Sequence, residues 1–400
     1  MSGRKKSGLG NVIRTHICIQ GLLAQDEIEN KFQKNIAINF LAPISPSKKW
    51  YSTKYFWKED KDRKNSLSIN FYQAKTIEPL FSELLTRDCD FKKYGAIHLD
   101  VIYEAEQKTH LILSVNHCLL DYHGMELMLQ NISTGEGELH FSTSLSGPQN
   151  NFSRFLKTIQ ASLFLAGRSG WNIQGLKKNS LASVPAFHSI KINKEDWLPN
   201  RNAEKHKGLP LYLASSVHAL SRQNSILRGS RQAFFIPSPV STRNADTRNV
   251  LLSNNLSFLF YRIDPRQISS VEDLRSILLK QTIEQAKLKI PEKFVSLMDA
   301  FSYLPEFIYK AFINLPSRGR TSTFAFSLLP GSFLDKGFFL GHEVLDFTHF
   351  PPFLSPPGLN IVFMEENENI KIVLSYDQNR LSKESVILLL KDIKANLINH

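Results

Sequence analysis

Cysteine is scarce in this chain of 400 residues. Cys18, Cys89 and Cys118 are far apart in the sequence and form no C-x-x-C pair. A disulfide framework or structural zinc site is therefore not expected, and a reducing compartment is. Long apolar runs are missing as well, and no stretch approaches the ~20 residues of a membrane-spanning helix. The first residues include the basic run Arg4-Lys5-Lys6, but no apolar segment of signal-peptide type follows it. No internal repeat and no long low-complexity segment is found. No nucleic-acid-binding motif is recognised either, nor a dense interleaving of Arg with aromatics, so no nucleic acid is read as a partner. The expected location is cytoplasmic, with attachment to a membrane surface left open.

What the chain does have is enough apolar material to fold. Apolar residues make up 42% and charged residues 22%, and 28 phenylalanines imply large buried or interfacial area. The length predicts two domains, or two closely packed lobes. The expected division is a loose tail over 1–10, an N-terminal lobe over 11–175 and a C-terminal lobe over 184–400. The formal net charge of +12 favours an anionic partner such as a phosphate-bearing substrate, an acidic carrier or an anionic lipid surface.

Periodicity places the elements. Ile77, Leu80, Phe81 and Leu84 recur at helical spacing, with Pro79 near the start. Ile97, Leu99, Val101 and Tyr103 alternate, a polar turn follows, and Leu111, Leu113 and Val115 alternate again, which reads as a β-hairpin. After Gly124, Met125, Met128, Leu129 and Ile132 define an amphipathic helix. Polar stretches at Leu139–Gln149 and Gly175–Ser183 read as connections. Phe152, Phe155, Leu156, Ile159 and Leu163 share one side of a further helix. That helix and the stretch Phe294–Pro316 admit two readings, core helix or lipid-facing surface. Further helices are expected over Pro210–Arg222, after a Ser269/Glu272 capping box, and after a Ser382 cap. Strands are expected near Gln232–Ile236 and as a second hairpin over Asn360–Glu365 and Ile370–Tyr376.

The chemistry-bearing segment is Asn116-His117-Cys118-Leu119-Leu120-Asp121-Tyr122-His123-Gly124, between the first hairpin and its helix. Strand parity puts His117 on the buried face of Leu111, Leu113 and Val115, where an imidazole needs partners for its nitrogens. Asp121, just before a helix N-terminus, could hold the connection through backbone N–H groups or an arginine. From spacing alone two readings stay open. His117 is either a core histidine with Asp121 as a helix cap, or a catalytic group that the connection orients. A metal site on His117, Asp121 and His123 lacks a further ligand at a placed distance, so no metal is read.

Strand, H-x-x-x-D-x-x-G and amphipathic helix together resemble the active-site segment of the chloramphenicol acetyltransferase-like superfamily. Its members include condensation domains, BAHD acyltransferases and wax ester synthase/diacylglycerol acyltransferases. Phe235-Ile236-Pro237-Ser238-Pro239-Val240-Ser241-Thr242-Arg243 with Asn254-Asn255 is similar to the family's P-V-S-x-R and later Asn stretch. Ser322–Gly331 resembles its S-N-V-P-G strand, and Leu374-Ser375-Tyr376-Asp377 its closing strand. The pattern is departed from in three places: Asn116 where many relatives have a second His, Tyr122 where many have Gly, and Phe326-Ser327 in the S-N-V-P-G segment, which lacks its Asn.

The resemblance implies an α/β fold of two lobes, with mixed sheets, flanking helices and a tunnel between the lobes. It implies an acyltransferase in which His117 is the general base and Asp121 and Gly124 are structural. Asp121 would be held by Arg14 or Arg243, and Ser327 or a nearby backbone N–H would meet the oxyanion. No cofactor is implied; the donor would be an acyl-coenzyme A or acyl-carrier-protein thioester, and the acceptor a hydroxyl or amine. The departures leave open a scaffold that kept the fold without turnover, and the helix over Phe152–Gly167 or the stretch Phe294–Pro316 leaves open a peripheral membrane-binding protein.

Overall fold

The computed structural model describes residues 11–48, 55–59, 67–89, 95–105, 107–135, 139–141, 151–169, 173–176, 181–197, 208–223, 227, 232–244, 251–305, 307–308, 322–367 and 369–398. The basic tail over 1–10, most of Leu139–Gln149, part of Gly175–Ser183 and the end of Phe294–Pro316 lie outside them.

The first lobe begins with strand β1 (Val12–Gln20), helices α1 (Gln25–Gln33) and α2 (Ile36–Leu41), and the ribbon β2–β3 (Ile44–Lys48, Tyr55–Glu59). Strand β4 (Ser68–Ala74) and helix α3 (Glu78–Thr86) follow, with Pro79 in the helix's first turn, where its missing N–H is not needed. The alternating segments then pair as the expected hairpin, β5 (Ile97–Glu104) with β6 (Lys108–Asn116), and lead into α4 (Tyr122–Thr134). Gly135 ends α4 in the left-handed region at φ 69°, which costs glycine least.

A two-residue strand β7 (His140–Phe141) and a long helix α5 (Asn151–Ser169) lead to the second lobe. There β8 (Pro185–Asn193), a single turn α6 (Lys194–Trp197), α7 (Leu209–Ser221), β9 (Phe234–Ser241), β10 (Leu251–Leu252) and β11 (Leu256–Ile263) follow in order. Helices α8 (Val271–Lys287) and α9 (Ile290–Ser302) precede β12 (Ala325–Leu329), β13 (Phe338–Phe339) and β14 (His342–Phe350). The hairpin β15 (Leu359–Glu365) with β16 (Asn369–Asp377) and helix α10 (Lys383–Ile398) complete the described chain. The cap of α8 is Ser270, one residue after the serine read from sequence; its hydroxyl accepts from Asp273 N–H at 3.1 Å.

Two mixed sheets organise these elements. The larger has six strands in the order β13-β14-β1-β6-β5-β4, parallel only between β4 and β5. The smaller has the order β12-β15-β16-β8. Thus β13 and β14, from the C-terminal half, complete the sheet of the N-terminal half, and a division of the chain near residue 184 does not separate the sheets.

Alternation on β15 sets how the lobes meet. Ile361 and Phe363 face the core shared with α7, α8 and α10, whereas Val362 and Met364 join the core of the first lobe. The pair β9–β11 is tied to the second lobe where Thr323 N–H donates to Phe235 O at 2.8 Å.

Candidate active site

Strand β6 ends at Asn116, and its ladder runs one residue further: His117 N–H donates to Asn11 O at 2.7 Å. The chain then turns. Leu119 N–H donates to Asn116 O at 2.9 Å, and the Asn116 side chain accepts from Cys118 N–H at 3.0 Å. The turn folds the Leu120 carbonyl back onto the imidazole, 2.8 Å from Nδ1. A carbonyl only accepts, so Nδ1 carries the proton and Nε2, across the ring, keeps its lone pair. Burial holds the His117 pKa below its ordinary value of 6.5, against weaker opposing effects of the Leu120 carbonyl and the Asp121 charge. The ring is therefore neutral and basic at neutral pH.

The Asp121 oxygens accept their hydrogen bonds from groups other than the ring. It is the N-cap of α4, and its Oδ1 accepts from Gly124 N–H and from Arg243 Nη2, both at 2.7 Å. Its Oδ2 accepts from Asn255 N–H at 3.0 Å. Arg243 also donates to Ser253 O at 2.7 Å, and the Asn254 amide donates to the His117 carbonyl. The carboxylate thus ties the start of α4 to the segments that follow β9 and precede β11. Gly124 lies in a tight place: a Cβ there would stand 3.1 Å from Ser253 O, 3.2 Å from a Leu120 methyl and 3.3 Å from Asp121 Oδ1, so these neighbours would have to give way by a few tenths of an ångström.

Of the two arginines expected beside Asp121, only Arg243 is there. Arg14 instead donates to Arg87 O at 2.6 Å and to Cys89 Sγ at 3.3 Å. The reason is strand parity. Ile13 and Thr15 lie opposite Val115 and Leu113 and share their face, whereas Arg14 lies opposite Ser114 and leaves the sheet on the other face.

His117 lines a cavity of about 340 Å³ to which both lobes contribute. The first lobe supplies Ile13, Thr15, His117 and the start of α4; the second supplies Pro239, Val240, Leu256 and the segment Ser327–Pro330. Ser327 sits on this wall through β12, which pairs in parallel with β15, Ser327 opposite Val362. Tyr122, where the resemblance leads to Gly as the expected residue, donates from its hydroxyl to Pro330 O at 2.8 Å. This carries the phenol across the lobe boundary, where Tyr122 forms part of the cavity wall. Tyr376 is not among the lining residues.

A second polar cluster reaches the cavity wall through Thr15 and His349. His349, on β14, has Nδ1 at 2.8 Å from Thr15 Oγ1 and Nε2 at 2.8 Å from Glu126 Oε1. Glu126 Oε2 accepts from Ser332 Oγ at 2.7 Å and Phe333 N–H at 2.9 Å. The first two turns of α4 therefore hold the second lobe at three points, through Asp121, Tyr122 and Glu126. Only the topology brings β14 beside β1; the sequence signal is limited to a carboxylate, Glu126, within an otherwise apolar helix face. Among the described residues no group of three or more His, Cys, Asp or Glu side chains could hold a metal ion.

No family model matches the chain, and no curated protein does. Solved structures do match, over nearly the whole length of both chains. The trichothecene 15-O-acetyltransferase TRI3 from Fusarium sporotrichioides superposes with a TM-score of 0.71 at 11% identity, covering 98% of this chain and 91% of that one. The first condensation domain of the calcium-dependent antibiotic synthetase, in complex with a substrate analogue, gives 0.66 at 11% identity, covering 98% and 91%. A starter condensation domain of rhizomide synthetase, a mutant in complex with C8-CoA and Leu-SNAC, gives 0.64 at 11% identity, covering 99% and 90%. With its two mixed sheets, flanking helices and full-length superposition, the chain has the chloramphenicol acetyltransferase-like fold of these acyltransferases and condensation domains.

Proposed function

We propose that the protein transfers an acyl group from a thioester to a hydroxyl or amine acceptor, with His117 as general base. The observation that carries this reading is a neutral imidazole, fixed through Nδ1 on Leu120 O, in a cavity built from both lobes. In the reaction, His117 Nε2 takes the acceptor's proton as its oxygen or nitrogen attacks the thioester carbonyl. The tetrahedral intermediate carries its negative charge on the former carbonyl oxygen, to which the Ser327 hydroxyl on the facing wall would donate. Collapse expels the thiolate, which leaves as the thiol with the proton from the imidazolium. The donor is already activated, so no covalent acyl-enzyme is needed. Coenzyme A and carrier-protein thioesters both fit a chain of net charge +12. The coenzyme A derivative bound to the starter condensation domain supports the same donor class.

The test is thiol release from a panel of short, long and aromatic acyl thioesters with a mixture of acceptors. His117→Ala is expected to lower the rate by ~10²–10⁴-fold, the usual loss for a general base. A wild-type chain that binds acyl thioesters without His117-dependent thiol release would favour the second reading, a binding protein without turnover. The observation in favour of that reading is the replacement of neighbouring motif positions by Asn116 and Tyr122.

A further inference from the structure

The cavity wall holds a polar group that the proposed reaction does not use. Thr15 lies opposite His349 of β14 on one side and opposite Leu113 of β6 on the other, and Thr15 and His349 line the cavity together with His117. Thr15 is level with Leu113, four residues before His117, so the rise along a strand sets the two side chains apart by on the order of 10 Å. Much of the remaining wall is apolar, with Ile13, Met125, Leu209, Val240, Leu256 and Leu328. Other polar side chains there already have tasks: Asp121 answers Gly124, Arg243 and Asn255, and the Tyr122 hydroxyl answers Pro330 O.

The partners of His349 set the polarity of the Thr15 hydroxyl. His349 Nε2 stands 2.8 Å from Glu126 Oε1, off the axis of a linear hydrogen bond. A carboxylate only accepts, so the proton between these two atoms sits on Nε2. Glu126 is itself fixed, because Ser332 Oγ and Phe333 N–H donate to its other oxygen. The Tyr122 ring packs edge-on against the imidazole, with centroids 4.8 Å apart. With one proton on the ring, Nδ1 accepts, and the Thr15 hydroxyl donates to it at 2.8 Å. That contact uses the hydroxyl's single donor and leaves acceptor capacity on Oγ1. Both ring nitrogens are engaged, so Thr15 Oγ1 is the atom of this cluster left to meet a bound molecule, and it meets it as an acceptor. A site that holds a substrate O–H or N–H in this way discriminates strongly against analogues that lack it.

We propose that Thr15 is a specificity-determining residue whose Oγ1 accepts a hydrogen bond from a second O–H or N–H of the bound substrate, on the order of 10 Å from the atom that reacts at His117. His349 and Glu126 are positioning residues behind it. The inference rests on the acyl-transfer reading for what occupies the cavity. The far hydroxyl or amine of an elongated acceptor and an amide N–H of the thioester arm offer the same donor chemistry, and the arms of the test separate them.

The experiment measures equilibrium binding by calorimetry, and kcat/KM for thiol release, on the full chain and on Thr15→Val and Thr15→Ser. One arm compares α,ω-alkanediols of increasing length with n-alkanols of the same length and with the diols' monomethyl ethers, which keep the far oxygen but lose its proton. The other arm compares S-acyl pantetheine with S-acyl alkanethiols of similar length. In the wild type the compound with the far donor is expected to bind about three- to tenfold better than its partner, the contribution of one neutral hydrogen bond. Thr15→Val is expected to remove this preference and Thr15→Ser to restore it, a pattern that a purely structural Thr15 does not give. A preference lost for the diols puts the donor on the acceptor, and one lost for pantetheine puts it on the thioester. No preference in either arm, a preference that survives Thr15→Val, or a methyl ether that shares its diol's preference would overturn the proposal. The wild-type comparisons need no variant, so they decide even where Thr15→Val unfolds. Binding preferences without any thiol release would count against acyl transfer and not against Thr15.

Discussion

At the scale of single residues, the organising group is Asp121. Its carboxylate receives two backbone N–H groups and one guanidinium N–H, and both its side chain and that of Arg243 are only 1% exposed. A buried pair of this kind adds little beyond a well-packed apolar pair, but breaking it leaves an uncompensated charge, at a cost of ~3–5 kcal/mol. Asp121→Ala is therefore expected to lower the melting temperature sharply, and Arg243→Met in the same chain to recover part of the loss. Thermal unfolding of the single and double variants measures this. Equal melting temperatures for wild type and Asp121→Ala would remove the anchoring role. The His117–Asp121 spacing was legible in the sequence because it spans one turn. Which arginine answers Asp121 was not, because Arg14 and Arg243 are both distant in sequence and only strand parity separates them.

At the scale of elements, helices and hairpins whose apolar residues recur regularly were readable, and the central strand β1 was not. The hairpins β5–β6 and β15–β16 carry regular apolar alternation, and α4 and α10 carry 3.6-residue stripes. Strand β1 lies between β6 and β14, and nearly all its residues are buried, including Arg14, Thr15 and His16. A strand covered on both faces need not alternate, and polar side chains that satisfy one another hide it further. His16 shows this: it stacks on His110 with ring centroids 5.3 Å apart, and its Nε2 is 3.0 Å from His110 Nδ1.

These buried imidazoles have a consequence for stability. Burial holds the pKa of His16 well below 6.5, and burial likewise lowers those of His110, His117 and His188. Above an unfolded-state value of about 6.5, both states are neutral and the rings contribute no pH dependence. As pH falls through that value the unfolded chain takes up protons that the folded chain refuses, so stability falls until the folded values are reached. The urea midpoint is expected to decline as pH drops from about 7 towards 5, and His110→Gln to make that decline shallower. A midpoint that stays flat over this interval would contradict the burial of these rings as neutral groups.

At the scale of the whole molecule, the cavity exists because the lobes are joined in more than one way. Strand β14 crosses into the first sheet, Val362 and Met364 enter the first lobe's core, and α4 holds the second lobe through Asp121, Tyr122 and Glu126. Two lobes and a histidine at a strand-to-helix turn could be read along the chain. The Thr15–His349–Glu126 cluster could not, since its members are 111 residues or more apart and meet only through the β1–β14 pairing. Burial keeps His117 neutral, and the Leu120 carbonyl on Nδ1 leaves Nε2 as its basic atom. The most direct test is therefore the pH dependence of kcat/KM for thiol release. An acid limb with one ionisation below 6.5, the ordinary histidine value, and a plateau above it are expected. The same limb in a slow His117→Gln enzyme, or an inflection at or above the ordinary value, would contradict it.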